Sequence, residues 1–207
     1  MKLLISFTAA LVGAGSLAAQ QVPDQGVLLI RRGADTLVTD RFVRTADSLT
    51  GRVTIQGQPR IEYAAALGPR ETVRSLTVAV FAADAAPGAQ PLQRVSIVMQ
   101  GDTAIADTPG GVQRVPTKAG AVPMFNNALA LSEIFTRRAK AAGGSATVPY
   151  FAIAGGATID AMVQTVAPDS MTLAIGPQTQ RFKVDATGRI LGGIIGGTTM
   201  EFVRGSR

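Results

Sequence analysis

The stretch Arg52-Val53-Thr54-Ile55-Gln56-Gly57-Gln58-Pro59-Arg60-Ile61-Glu62-Tyr63-Ala64-Ala65-Ala66-Leu67 decides the fold class. Val53 and Ile55 share one side of its first half, and Ile61, Tyr63, Ala65 and Leu67 share one side of its second. A period of two residues belongs to a strand with one face buried, because successive side chains leave an extended chain in opposite directions. Gly57-Gln58-Pro59 supplies turn chemistry between the halves, so the stretch reads as an antiparallel hairpin.

The same pattern extends in both directions. Upstream, residues 26–32 and 36–45 form another hairpin around Gly33-Ala34-Asp35. Downstream, residues 73–81 carry Leu76, Val78 and Val80 opposite Thr77, Ala79 and Phe81, so both faces look covered. A Pro- and Gly-punctuated loop, 82–91, ends that strand. Val95, Ile97 and Met99 alternate with polar neighbours, residues 103–107 follow Gly101-Asp102, and Thr108-Pro109-Gly110-Gly111 breaks the chain again. Later strands are expected at 147–154, 158–166, 170–175, 179–185, 189–191 and 198–204.

Between them the period changes. Residues 124–142 contain no Gly or Pro, and Leu131, Ile134, Phe135 and Ala139 recur at helical spacing. Pro123 suits a first helical turn and Gly143-Gly144 a left-handed stop, which predicts one helix of about five turns. The expected fold is mainly β with one helix (α+β): a curved antiparallel sheet or half-barrel of about ten to twelve strands, in meander order, with the helix packed on it.

The N-terminus reads Met1-Lys2, a mostly apolar run over residues 3–12, then small residues to Ala19 before Gln20-Gln21. That order is a secretory signal peptide, residues 1–19, cleaved after Ala18 or Ala19. Residues 20–207 are then a single β-rich domain, periplasmic or secreted. No cysteine occurs, so neither a thioether-linked lipid nor a disulfide is available. The next most apolar stretch, 190–197, holds four glycines and is too short to span a bilayer. An outer-membrane barrel needs aromatic girdles, whereas this chain has no Trp and two Tyr. The expected protein is not membrane-spanning.

The formal charge of +6 becomes about +5 without Lys2, and most of it is arginine spread singly apart from Arg31-Arg32 and Arg137-Arg138. Such a surface suits an anionic partner or is simply a solvated face. Nucleic acid is excluded as a partner by the expected export and by the lack of stacking aromatics beside the basic residues. Histidine is absent, as is cysteine, which removes Ser-His-Asp, Cys-His and ordinary zinc chemistry. No Ser-x-x-Lys pair or Gly-x-Ser-x-Gly elbow occurs in residues 20–207. Among carboxylates, Glu62, Glu71, Glu133 and Glu201 are the glutamates. Glu133 and Arg137 are spaced as a surface i,i+4 ion pair, and Asp102 and Asp107 belong to turns. The glycines of 192–197 lack the strand-loop-helix context and lysine of a phosphate loop and suit a bend or bulge near the end of the sheet. Neither cofactor nor metal is expected, and the protein reads as no enzyme.

The order of leader, antiparallel strands, intervening helix and a final hairpin carrying Val184-Asp185-Ala186-Thr187-Gly188-Arg189-Ile190 resembles the periplasmic lipoprotein-carrier (LolA/LolB-like) half-barrel proteins and related exported β-rich domains. It is also similar to β-rich accessory regions that precede hydrolase domains in secreted enzymes. The first resemblance implies an acyl or other apolar ligand held between sheet and helix. Its lining would come from Leu76, Val78, Val80, Ile97, Met99, Phe125, Leu131, Phe135, Met171 and Leu173. The same residues at the same periods equally make a plain core. Three functions therefore stand in order: a non-catalytic envelope protein binding a lipid or acylated ligand, a structural or interaction module pairing with another envelope protein, and a hydrolase using carboxylates only.

Overall fold

A computed structural model describes residues 23–195 and 200–205. The expected signal peptide, residues 1–19, lies outside the described residues, as do residues 196–199 of the glycine-rich stretch and the start of the last expected strand. Among the described residues the chain forms fifteen strands and one α-helix. The first arm is β1 (Asp24–Arg32), β2 (Asp35–Arg44), β3 (Ser48–Ile55), β4 (Arg60–Gly68), a single 3-10 turn (Pro69–Glu71), β5 (Thr72–Phe81), β6 (Gln93–Gln100), β7 (Thr103–Thr108) and β8 (Gly111–Pro116). Next come β9 (Val122–Met124), α1 (Leu129–Ala141), β10 (Ser145–Ala152), β11 (Ala157–Ala167), β12 (Ser170–Ile175), β13 (Gln178–Val184), β14 (Ile190–Ile195) and β15 (Met200–Gly205).

All fifteen strands belong to one sheet in the order β8-β7-β6-β5-β4-β3-β2-β1-β15-β14-β13-β12-β11-β10-β9. Two meanders, each built from local hairpins, are stitched by one long-range pairing, in which Leu28 opposes Arg204 and Ile30 opposes Phe202. The hairpin over residues 52–67 forms as read, with Val53 opposite Ile61 and the N–H of Gln58 donating to the carbonyl of Ile55 at 3.1 Å.

The sheet is open and curved, and its two ends overlap. On one side of the β9–β10 layer, Val122, Met124 and Val148 pack with Leu131, Ile134 and Phe135 of α1 in the main core. On the other side, Ala121 and Phe151 pack with Ile97 and Ala104 of β6 and β7 in a second cluster. The wing β6–β8 therefore lies over the outside of β9–β10 while α1 fills the inside. Hydroxyl contact between Thr117 and Thr158 at 2.7 Å and the Lys118–Asp160 ion pair at 2.7 Å pin the overlap.

Several expectations change. The strand count exceeds ten to twelve because β8, exposed along nearly its whole length, shows no in-out alternation, and β9 has three residues. The pairing is antiparallel except between β9 and β10, where Tyr150, Phe151 and Ala152 run parallel to Val122, Pro123 and Met124. Pro123 thus sits in an edge strand, where its missing N–H breaks no ladder, and does not open the helix. The helix begins at Leu129 instead of Met124, since Asn127 takes φ 68 and interrupts a continuous right-handed run. Residues 192–195, expected to form a bend or bulge near the end of the sheet, are part of β14. Lys183 opposes Gly192 and Val184 opposes Ile190, so the extra residue of the β-bulge is Leu191, just ahead of the glycines for which a bend or bulge was expected.

Candidate functional site

Helix α1 starts without a cap of its own, because Ala128 at its N-cap offers no side-chain acceptor. The acceptor comes from across the sheet. On β2, Val38, Asp40, Phe42 and Arg44 alternate with exposed residues and point inward. The Asp40 carboxylate, fully buried, accepts the N–H of Ala130 at 2.8 Å and the Tyr63 hydroxyl at 3.0 and 3.2 Å. Burial pushes the Asp40 carboxyl up from 3.8 to about 7, against the lowering effect of the bonds from Ala130, Tyr63 and Leu129. Burial and the neighbouring Asp40 likewise raise the Tyr63 hydroxyl well above the ordinary tyrosine value. Tyr63 in turn packs edge-on against Phe125 at a centroid distance of 5.5 Å.

Beside this capped helix end opens a cleft of about 410 Å³. Phe125, Leu129 and Phe135 form its helix side, Tyr150, Leu173 and Ile175 its sheet side, and Ile195 closes one flank. Asn126, Asn127, Ser132, Gln178 and Gln180 place neutral polar groups around the apolar walls. A second apolar cavity of about 590 Å³ lies in the overlap of the sheet ends, between Val95, Ile97, Ala106 and Val115 of the wing and Phe151 and Ile153.

A polar network closes the interior along the middle of α1. Glu133, fully buried, accepts the N–H of Ile190 at 3.0 Å, pairs with Arg204 and lies 3.6 Å from Arg137. The i,i+4 pair with Arg137 therefore exists, but not at the surface where it was expected. Two turns of an amphipathic helix leave that position facing inward, where only cations from β15 and α1 make an anion tolerable. Asp24 accepts from Arg137 at 3.1 Å and Arg189 at 2.7 Å, with Arg204 at 3.8 Å. Arg204 also lies over the ring of Phe42, 5.0 Å from its centroid. The turn Asp185-Ala186-Thr187-Gly188 docks on the helix through Thr136, whose hydroxyl donates to the Gly188 carbonyl at 2.6 Å.

The ten residues foreseen as a groove lining spread through the interior. Leu76, Val78, Leu131, Phe135, Met171 and Leu173 belong to the main core, and Phe125 packs against it. Ile97 anchors the second cluster with Met99 beside it, and Val80 is half-buried on β5. The cleft brings together Phe125, Phe135 and Leu173; the overlap cavity takes Ile97. Asp40, Tyr63, Arg44 and Arg204 were not singled out as site residues. Asp40 was legible, since it stands between Val38 and Phe42 at the inward parity of an alternating strand.

Among the described residues no group of three or more His, Cys, Asp or Glu side chains converges to hold a metal ion, and no helix is long and apolar enough to cross a membrane. No protein-family model matches the chain, and no curated protein matches it. Among solved structures, the chain is similar to a β-barrel-like protein of a domain of unknown function (DUF1849) from Brucella abortus. The two share 11% identity with a TM-score of 0.47, over 89% of this chain and 95% of that one.

Proposed function

We propose that this chain is an exported, non-catalytic envelope protein that holds a lipid or acylated ligand in the cleft between α1 and the sheet. The observation that carries the reading is the cleft itself. Its about 410 Å³ falls within the range of small-molecule sites, and its apolar walls with a few neutral polar groups match their usual lining. The carboxylates favour binding over catalysis: Asp40 is occupied as a helix cap and Glu133 as the anion of an internal ion network. The leader over residues 1–19 supports export.

The test is titration of the purified protein with an environment-sensitive fluorescent fatty acid, beside a Ser132→Trp variant that fills the cleft from its helix wall. Saturable binding at micromolar concentration, lost in the variant, is the expected result. Absence of saturable binding refutes the ligand reading. Cell fractionation and N-terminal sequencing test export separately, the expected start being Ala19 or Gln20.

The second reading, an interaction module without a small-molecule ligand, draws on a different observation. Leu76, Leu131 and Met171, foreseen in the groove, are fully buried in the core, while β8 leaves one edge of the sheet unpaired. Envelope proteins co-purifying with a protein that binds no fatty acid would favour it.

A further inference from the structure

We infer that the pocket at the C-terminal end of α1, walled by Arg70, Arg137 and Lys140, binds a phosphate group. It lies at the opposite end of the helix from the cleft and is independent of the ligand proposed there. The space, about 540 Å³, is bounded by Ala46, by Gly68 to Glu71, by the last turns of α1 and by Ala186 and Thr187.

The backbone at its rim is held in a costly shape. Arg70 and Glu71 take φ 55 and 61, two successive residues with Cβ atoms in the left-handed region. Such conformations persist only where the surroundings over-determine them, and they gather at functional sites. The restraint here comes from two largely buried arginines. Arg44 pairs with the Glu71 carboxylate, and Arg138 donates from Nε and Nη2 to the Glu71 carbonyl at 3.1 and 2.8 Å. Arg138 also reaches the Gly120 carbonyl at 2.7 Å, which ties the loop to the connection between β8 and β9.

The consequence is electrostatic. Glu71, the one acid lining the pocket, is committed to Arg44, so its charge is neutralised away from the opening. Arg70 stands exposed and pairs with no carboxylate among the described residues. Lys140 donates to the Pro168 carbonyl at 3.0 Å, a bond that leaves its charge uncompensated, whereas Arg137 already pairs with Asp24 at 3.1 Å. The helix end, which would repel an anion through its free carbonyls, is closed: those of Arg138, Ala139 and Lys140 take the N–H groups of Ala142, Gly144 and Gly143. Arg70 and Lys140, with Arg137 behind them held by Asp24 and Glu133, leave positive charge around the cavity and suit a tetrahedral phosphate, which a guanidinium fork binds through paired N–H bonds.

Inorganic phosphate and a phospholipid headgroup share this chemistry, so the test has two arms. Calorimetric titration with phosphate and flotation with phosphatidylglycerol against phosphatidylcholine vesicles are run on the protein and on Arg70→Ala, Lys140→Ala, Arg70→Gly and, as a control for bulk charge, Arg114→Ala on exposed β8. One lost charge-assisted hydrogen bond should weaken binding about tenfold in each pocket variant. Arg114→Ala should bind as the parent does. Arg70→Gly, which suits the left-handed backbone, should lose binding while melting no lower than the parent, separating lost recognition from lost folding. Variant-sensitive binding of phosphate points to the free ion, and variant-sensitive flotation alone points to a headgroup. Binding absent in both arms, unaltered by the pocket variants, or lowered equally by Arg114→Ala overturns the inference.

Discussion

Replacing Asp40 by Asn tests how the helix is tied into the sheet. A carboxyl moved from 3.8 when unfolded to about 7 when folded binds its proton more tightly in the native state. Below the unfolded value both states are protonated, and the native protein keeps its full stability. As pH rises from about 4 through 7 the unfolded chain ionises first, and the native state must then either retain a proton or bury a charge. Stability therefore falls with rising pH, by up to about 4 kcal/mol from this group alone. Asn keeps an acceptor for Ala130 and Tyr63 but does not titrate. The expected result is that the stability of Asp40→Asn relative to the parent climbs between pH 4 and 9 by as much as about 4 kcal/mol, a range set by the same linkage. Urea denaturation at fixed pH steps, followed by circular dichroism, measures the difference at each pH. A difference that stays flat across the range, or falls, would show that Asp40 is not the buried, capping carboxyl described here. Asp40→Ala is the companion variant. It leaves the Tyr63 hydroxyl and the Ala130 N–H without an acceptor and should cost roughly 2–4 kcal/mol at about pH 3, below the unfolded value, where the parent carries no ionisation penalty.

Two further outcomes follow from close contacts in the interior. Gly188 has φ 84, and a Cβ there would stand 2.8 Å from the backbone of Thr136 and Arg137, so Gly188→Ala should lower the thermal midpoint sharply, by roughly 2 kcal/mol or more in stability; calorimetry showing an unchanged midpoint would refute the docking of this turn on α1. Removing Glu133 alone strands Arg204 and should cost about 3–5 kcal/mol, whereas Glu133→Leu with Arg204→Leu should recover much of that loss; a double variant no better than the single, in denaturant titration, would count against the pair.

The strand framework was legible because period-two alternation is written locally. Val53, Ile55, Ile61, Tyr63, Ala65 and Leu67 declare one face, and the turns at Gly33, Gly57 and Gly188 declare where the chain reverses. Helical spacing over residues 131–139 was equally local. What failed were segments whose structure depends on a distant neighbour. β8 has no alternation to read, and Val122–Met124 became a strand because Tyr150 to Ala152 lay alongside, overriding a proline that suits a helix start.

Residue order alone prescribes a β meander with one amphipathic helix, and a composition free of histidine and cysteine rules out the chemistries that need them. The rolling of the sheet over its own end, the capping of a helix by Asp40 from 90 residues away and the place of Glu133 as an interior anion among arginines come from contacts between distant segments. The two kinds of feature differ in the range of the interactions that set them. Strand and helix periods follow from backbone geometry within a few residues. The burial of a charge is set by partners such as Arg204 that chain folding alone brings within reach.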